Sequence, residues 1–401
     1  MALFLGKQTT IKPDGYQTEP SLQDTRVIQM TDNLIQQGVA AGASDIHIEP
    51  MDTETFRVRM RIDGRLYSLR NIDKHHADGL ITRIKILSKM DIAEKRLPQD
   101  GSFGQKIAGR RVNIRVSTLP TYFGEKIAIR LLDASRYIRA LNTLGFNEID
   151  YRKITTMLAK KQGLILVSGP TGCGKSTTVY SMLNALNNAG INITTIEDPI
   201  EIQMPGINQM QVNEKANLSY DNGLRAILRQ DPNVIMIGEI RDEKTALAAC
   251  RAALTGHLVF STLHTRSSSL TVDRLTDLNV PAYLINDVLA GVVSQRLVRL
   301  LCPKCKKSRM TTPYETKSLN LKSPTTIAET VGCEHCRQTG YHHRRAVFEV
   351  LSFSKGQPTN APHQNITSEN GVSFTPLADS IRRMILKGET SYAEGISIIN
   401  S

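Results

Sequence analysis

The pattern of apolar and polar positions along this chain changes character partway through. Between Leu22 and Ala41, the residues Val27, Ile28, Met30, Leu34, Ile35 and Val39 recur at roughly helical spacing, which predicts an amphipathic helix. Asp45-Ile46-His47-Ile48-Glu49 and Phe56-Arg57-Val58-Arg59-Met60-Arg61-Ile62 then alternate, the period of half-buried strands, and Asp63-Gly64 is a hairpin turn signal. His75 to Met90 reads as helix again; Arg111 to Val116 and Lys126 to Leu132 return to alternation. Residues 21–133 therefore predict a small α+β domain. Residues 1–20 are polar with Gly and Pro and are expected to form a loose N-terminal arm, too short for a docking domain of its own.

Residues 134–147 carry few periodic signals and are read as an interdomain linker. Past them come short, wholly apolar runs at Leu164–Val167, Ile193–Ile196, Val234–Ile237 and Leu258–Phe260, separated by helical stretches. Runs that do not alternate are buried on both faces, so residues 148–401 predict an α/β domain with a parallel sheet covered by helices. Ser308–Glu329 and Ser352–Thr375 are polar, with scattered Gly, Pro, Ser and Asn, and are expected to be exposed, mobile loops. No apolar run approaches the ~20 residues that span a bilayer, and Met1–Lys7 is too short for a secretory signal, so a cytoplasmic chain is expected.

Composition narrows the classes further. At 40% hydrophobic and 22% charged, the 401 residues exclude a disordered chain, a collagen-like repeat and a disulfide scaffold. Fifty Lys and Arg against 38 Asp and Glu leave a net charge of +12, which suits a nucleotide, a nucleic acid or an acidic membrane face without choosing among them.

The strongest chemical signal is Gly169-Pro170-Thr171-Gly172-Cys173-Gly174-Lys175-Ser176, which follows an apolar strand and opens a helical stretch at Thr177. Glycines in this context let backbone N–H groups wrap a phosphate at a helix N-terminus. Lys175 then reaches the outer phosphates, and the Ser176 hydroxyl ligates the Mg²⁺ that accompanies ATP. A chance Gly-rich turn would lack the strand and the helix on either side.

Triphosphate cleavage also needs a carboxylate to hold the metal or orient water, and ligands of parallel sheets sit at the carboxyl ends of strands. Val234–Ile237 leads into Glu239, and Ile193–Ile196 leads into Glu197, Asp198 and Glu201. The plainer reading of each is a solvated acidic turn. His257 and His264 flank the Leu258–Phe260 strand, and by themselves they fit structural roles as well as catalytic ones.

Four of the six cysteines form two C-x-x-C pairs, Cys302 with Cys305 and Cys333 with Cys336. Each pair supplies two of the four corners of a tetrahedron, a strong signature of a structural Zn²⁺ site with no open position. His335, His342 and His343 are surplus to such a site and are expected at the surface. Cys250 carries no such signal.

Taken together, these blocks resemble the secretion and assembly ATPases of the type II secretion and type IV pilus class. The resemblance rests on Ser44 to Pro50 (SDIHIEP), Arg115 to Pro120 (RVSTLP), Gly124 to Arg130 (GEKIAIR), the phosphate loop, Thr195 to Glu201 (TIEDPIE) and Leu228 to Pro232 (LRQDP). Gly238 to Asp242 (GEIRD), Thr255 to His257 and Thr262 to His264 complete it. It implies a RecA-like P-loop NTPase domain carrying a zinc knuckle and preceded by a PAS-like α+β domain. It also implies a role for each site residue: Glu239 as the catalytic carboxylate of an atypical Walker B, Glu197, Asp198 and Glu201 as an acidic box, His257 and His264 as a histidine box. Arg115 and Arg130 would reach phosphates across a subunit boundary; without the resemblance they read as solvent-facing strand arginines.

The resemblance further implies a ring-shaped homo-hexamer, peripheral at the inner membrane, that moves a polytopic membrane platform protein. Within the class, the four-cysteine knuckle resembles extension and secretion members rather than retraction motors. Two departures stand out: the short arm where many secretion members carry an extra docking domain, and the long polar stretch at 352–375. One rival is a nucleic-acid translocase, for which Arg296, Arg299, Lys304, Lys306, Lys307 and Arg309 would make a phosphate-binding patch. Aromatic residues are only 5% of the chain with no Trp, so bases would find little to stack on. The second rival is a nucleotide-binding switch that hydrolyses too slowly to be a motor. The same basic run would alternatively dock on an anionic leaflet or on acidic platform loops.

Overall fold

In the computed structural model, which describes residues 22–353 and 374–400, the alternating segments near the start of the chain join a single sheet. Its strands are β1 (Ala43–Pro50), β2 (Thr55–Ile62), β3 (Arg65–Asp73), β4 (Gln99–Ile107), β5 (Arg110–Thr121) and β6 (Gly124–Asp133), in the order β3-β2-β1-β6-β5-β4. The β2–β3 hairpin turns at Asp63 and Gly64, with φ of 49° and 85°, the left-handed pair that a tight right-twisting hairpin requires. Alternation sends Ile46, Ile48, Val58, Met60, Ile127 and Ile129 to a buried face. The helices Leu22–Ala40 and Lys74–Leu87 lie against it with Leu34, Ile35, Leu80 and Ile84 buried. The opposite face is charged, and it sets Asp45, His47 and Glu49 of β1 against Arg61, Arg59 and Arg57 of β2.

The second sheet takes β7 (Gly163–Ser168), β8 (Ile193–Glu197), β9 (Asn208–Gln211), β10 (Val234–Ile237), β11 (Leu258–Leu263) and β12 (Leu289–Leu301). Two further strands, β13 (Lys307–Met310) and β14 (Thr326–Glu329), pair with each other; β15 (Tyr341–Ser352) returns as the edge in the order β15-β12-β7-β11-β10-β8-β9. All pairings in this sheet are parallel except β12 with β15. The four apolar runs lie side by side in the middle. Successive residues feed two different cores: Leu164, Leu166, Ile235, Ile237 and Val259 join one, Ile165, Val167, Val234, Met236 and Phe260 the other.

The chain divides into two compact units, the first comprising the residues up to Gly109 with Ile114–Leu131, the second Arg110–Asn113 with the residues from Leu132 onward. Within the stretch read as a linker, a short helix covers Ala134–Tyr137, and Leu141 and Leu144 are buried against Ile154, Met157 and Phe348 of the second unit.

One expected loop is ordered instead. Ser308–Glu329 holds most of β13, the helix Pro313–Ser318 and β14. Thr312 and Glu315 make a reciprocal capping box around Pro313 at the first helical turn. Arg309 bridges Glu315 and Glu329, while Leu319 and Ile327 bury against Val298 and Ile381. The polar composition therefore reflects caps and ion pairs rather than mobility. Of the other expected loop, Ser352–Thr375, residues 354–373 lie outside the described residues.

Candidate active site and metal centre

All six residues of β7 are buried, and the strand is flanked by β11 and β12, so the loop that leaves its carboxyl end starts from a fixed point. Gly169, Gly172 and Gly174 have φ of 147°, 76° and 93°. At Gly169 there is no room either: a Cβ would stand 2.6 Å from both the Cys173 Sγ and the Gln295 carbonyl oxygen. Gly174 caps the helix Lys175–Leu186 without a side-chain bond, leaving that helix's first N–H groups to an anion. Pro170 and Thr171 are exposed at the tip, and Ser176 and Thr177 are half-buried in the first helical turn. The Lys175 ammonium arches over the loop, donating to the Gly169 carbonyl at 2.9 Å and the Pro170 carbonyl at 3.2 Å.

Glu239 stands at the carboxyl end of β10, two strands from the loop. Its turn is pinned on both sides: Gly238 N–H donates to Ile196 of β8 at 2.8 Å, and Ile240 N–H donates to Thr262 of β11 at 3.0 Å. Arg241 pairs with the Glu239 carboxylate, and His264 Nε2 lies 3.7 Å from it. Partial burial lowers the pKa of the Lys175 ammonium, with the negative charge of Glu239 pulling the other way. Burial likewise lowers His264, helped by the cations Lys175 and Arg241, so the imidazole is held neutral near pH 7. A cradle, a lysine, a carboxylate and a neutral imidazole thus converge at one edge of the sheet.

The acidic turn after β8 divides its carboxylates. Glu197 is 3% exposed and faces inward. It accepts from the Tyr180 hydroxyl, from Thr195 Oγ1 at 2.6 Å and from Gln209 Nε2 at 3.1 Å. Its oxygens hold the turn, while Asp198 is exposed and Glu201 half-buried. Sequence reasoning missed Tyr180 and Tyr220. The Tyr180 hydroxyl also accepts from Glu201 N–H at 3.3 Å, and burial beside Glu197 raises its pKa, keeping it a donor. The Tyr220 phenol, raised by burial and by the charge of Glu239 and Asp198, sits against Gly238.

The two histidines separate. His264 follows the carboxyl end of β11, whereas His257 precedes its amino end, where its carbonyl accepts from Gly163 N–H at 3.1 Å at the start of β7. The His257 ring is turned back to its own helix, with Nδ1 donating to the Ala252 carbonyl at 2.9 Å. Within one chain His257 is therefore at the opposite sheet edge from the phosphate loop. Arg130 of the first unit is exposed on β6, with Nε 3.0 Å from Asp45 Oδ1; Arg115 is half-buried on β5.

The cysteine pairs close into one cluster. Sγ–Sγ distances are 3.9 Å for Cys302–Cys333, 3.8 Å for Cys305–Cys336 and 3.7 Å for Cys333–Cys336, and all four sulfurs lie within 4.8 Å of one another. Four thiolates at ~2.3 Å around a tetrahedral Zn²⁺ would be about 3.8 Å apart, so the donor set fits that ion. Backbone N–H groups of Gly332, Cys333 and Gly340 point at the sulfurs of Cys305 and Cys336. Burial alone would push the Cys336 thiol up, yet the N–H groups of Cys333 and Gly340 outweigh it and bring it down to about 6. His335 and His343 are exposed, as expected; His342 is half-buried between their rings.

The basic run read as a nucleic-acid patch is largely consumed internally. Arg296 is 7% exposed and donates to the carbonyls of Gln295 and Arg266. Arg299 pairs with Glu394 and stacks 4.1 Å over the Tyr341 ring. Lys306 donates to the Gly388 carbonyl at 2.7 Å, and Arg309 is held by two glutamates. No helix among the described residues is long and apolar enough to cross a membrane.

Comparison with known proteins gives the chain a family. Residues 21–400 match the family described as type II/IV secretion system protein. The chain is 40% identical over 393 residues to type II secretion system protein E of Dickeya dadantii (strain 3937), covering 96% of this chain and 78% of that one. It is 41% identical over 395 residues to the type IV pilus assembly ATPase TfpB of Acinetobacter baylyi, covering 96% and 67%. Among solved structures it is similar to the pilus retraction motor PilT with bound ADP, at a TM-score of 0.66 and 27% identity over 91% of this chain and 96% of the other. The sequence blocks, the parallel sheet with its phosphate loop and these relatives agree: the chain belongs to the type II/IV secretion system protein family, as an ATPase of the secretion and pilus-assembly class.

Proposed function

We propose that the second unit cleaves ATP on the Gly169–Ser176 loop, and that the cycle powers assembly of a type IV pilus or a type II secretion pseudopilus through an inner-membrane platform protein. The observation that carries the reading is the meeting of the loop, Lys175, Glu239 and His264 at the carboxyl edge of one parallel sheet. On nucleotide binding, Lys175 exchanges the carbonyls of Gly169 and Pro170 for phosphate oxygens. Ser176 is the residue placed to hold Mg²⁺, which when bound with the triphosphate neutralises charge on its oxygens. Glu239, steadied by Arg241, orients the attacking water and takes its proton, with His264 alongside. Asp198 and Glu201 supply further negative charge at the metal side.

Zn²⁺ on Cys302, Cys305, Cys333 and Cys336 fastens the knuckle and takes no part in the chemistry. In this reading the chain works as a homo-hexamer on the cytoplasmic side of the inner membrane, and a nucleic-acid partner is disfavoured because Arg296, Arg299, Lys306 and Arg309 of the basic run have partners inside the fold. Arg115 and Arg130 come from a neighbouring subunit to neutralise the charge that develops on the transferred phosphate.

The test is ATPase activity against protein concentration. Activity is expected to rise more steeply than linearly as rings assemble and to fall by ~10³ to 10⁵ in Arg115→Ala, the range for an arginine supplied in trans. Specific activity that stays constant on dilution, in wild type and variant alike, argues that each chain hydrolyses alone.

A further inference from the structure

We propose that Gln295 is a positioning residue for the phosphate loop: its buried amide sets the direction of the Cys173–Gly174 peptide and so aims the Gly174 N–H at bound phosphate. Gln295 lies midway along β12, 0% exposed, and its Nε2 donates to the Cys173 carbonyl at 2.7 Å. Its Oε1 accepts from the Thr178 hydroxyl at 2.7 Å, one turn into the helix that follows the loop. A carbonyl can only accept, so the NH₂ end of the amide must face Cys173 and the oxygen must face Thr178. One side chain thereby ties Cys173, the residue before the helix cap Gly174, to the helix.

The consequence follows from peptide geometry. In a trans peptide the C=O and the next N–H point in opposite directions. With the Cys173 carbonyl drawn toward β12, the Gly174 N–H is turned away from it, without any rearrangement left for the moment of binding. The fit is close, since a Cβ on Gly174 would come 3.2 Å from Gln295 Nε2. The backbone of Gln295 is itself braced by Arg296, whose guanidinium spans the Gln295 carbonyl at 3.0 Å and the Arg266 carbonyl at 2.8 Å.

Glutamate at this position makes the idea testable, because a protonated carboxyl reproduces both bonds: its O–H donates to the Cys173 carbonyl and its C=O accepts from Thr178. An ionised carboxylate can do only the second and sets negative charge against a carbonyl oxygen. The charged and titratable groups around it are Cys173 and Lys175 from the loop and helix, Arg266 after β11, Arg296 on β12 and Glu349 on β15. Their own titration is present in wild type too, so affinities are compared with wild type at each pH.

The experiment measures binding of fluorescent Mg-ADP to the purified full chain and to Gln295→Glu and Gln295→Ala, with melting temperature recorded for each. Gln295→Glu is expected to bind about tenfold more weakly than wild type at alkaline pH, the scale of one buried hydrogen bond lost with its partner unsatisfied, and to recover at mildly acidic pH. Gln295→Ala is expected to be weak at every pH. Wild-type affinity in both variants, or a loss in Gln295→Glu that does not recover with acid, overturns the proposal. The inference rests on the loop being the triphosphate cradle, and Lys175→Ala separates the two: if that variant binds Mg-ADP normally, the cradle reading itself fails, whatever residue 295 does.

Discussion

The two sheets of this chain spend their polar residues in opposite ways. In the second, β7, β10 and β11 are buried on both faces, so no functional side chain can stand along them, and the chemistry is confined to the strand ends. In the first, one face is open and the charges lie across it in pairs: Glu49 gathers Arg57, Arg59 and Lys126, and Asp45 gathers Arg61 and Arg130. Buried strands build a site by where they stop; half-open strands build one by what they carry. Arg130 on the open face already has Asp45 as a partner, so the phosphate role proposed for it would require an exchange of partners.

The largest effect that sharpens this contrast is at the far end of β12. Chelating the Zn²⁺ proposed for the knuckle is expected to loosen the two cysteine turns, residues 302–306 and 332–340, more than the β13–β14 pair between them, which has its own ladder, ion pairs and apolar contacts. Hydrogen exchange should accelerate there while β7, β10 and β11 keep their protection. Equal loss across the whole second sheet would mean that the knuckle is part of the sheet's stability rather than an appendage.

A smaller effect separates the two sheet edges. His264→Ala is expected to lower turnover by about 10² with little change in nucleotide affinity, the scale of a lost proton-handling partner. His257→Ala should leave nucleotide affinity untouched, and a matching loss of affinity in His257→Ala would break the assignment of the chemistry to the carboxyl edge. Because burial and the neighbouring cations lower the His264 pKa, turnover should begin to fall only below the ordinary histidine value of 6.5 as the ring gains its proton.

The smallest effect probes the open face. Burial would raise the Glu49 pKa, but hydrogen bonds from Arg59 and Lys126 bring it down to about 2 from an ordinary 4.5. A depressed carboxylate stabilises the fold above its unfolded pKa, so this contribution should be complete above pH 4.5 and drain away as pH falls toward 2. Denaturant midpoints of the full chain across that window should flatten in Glu49→Gln; an unchanged slope would mean that these pairs contribute nothing.

The same contrast explains what could be read from residues alone. The four central strands were legible because burial on both faces leaves wholly apolar runs, and the loop and cysteine pairs because their chemistry fixes the spacing. β12 was not, since Ser294, Gln295 and Arg296 interrupt its apolar residues and resemble an exposed segment although all three are buried. β4 has only Phe103 and Ile107 as large apolar residues in Gln99–Ile107 and gives almost no alternation to detect. Glu197 and His257 were legible as motif members, but a motif does not say which way a side chain turns. Tyr180 and the inward pull of Thr195 and Gln209 decide that for Glu197, and the helix carbonyl at Ala252 decides it for His257.

The most direct measurement sets nucleotide affinity beside turnover in Glu239→Gln and Lys175→Ala, with the protein assembled and Mg²⁺ present. If ATP is cleaved where β7, β10 and β11 end, Glu239→Gln binds ATP about as wild type does yet turns over ~10² to 10⁴ more slowly, while Lys175→Ala loses both. Wild-type hydrolysis by Glu239→Gln would contradict the account, because no chemistry would then depend on the carboxylate at that edge.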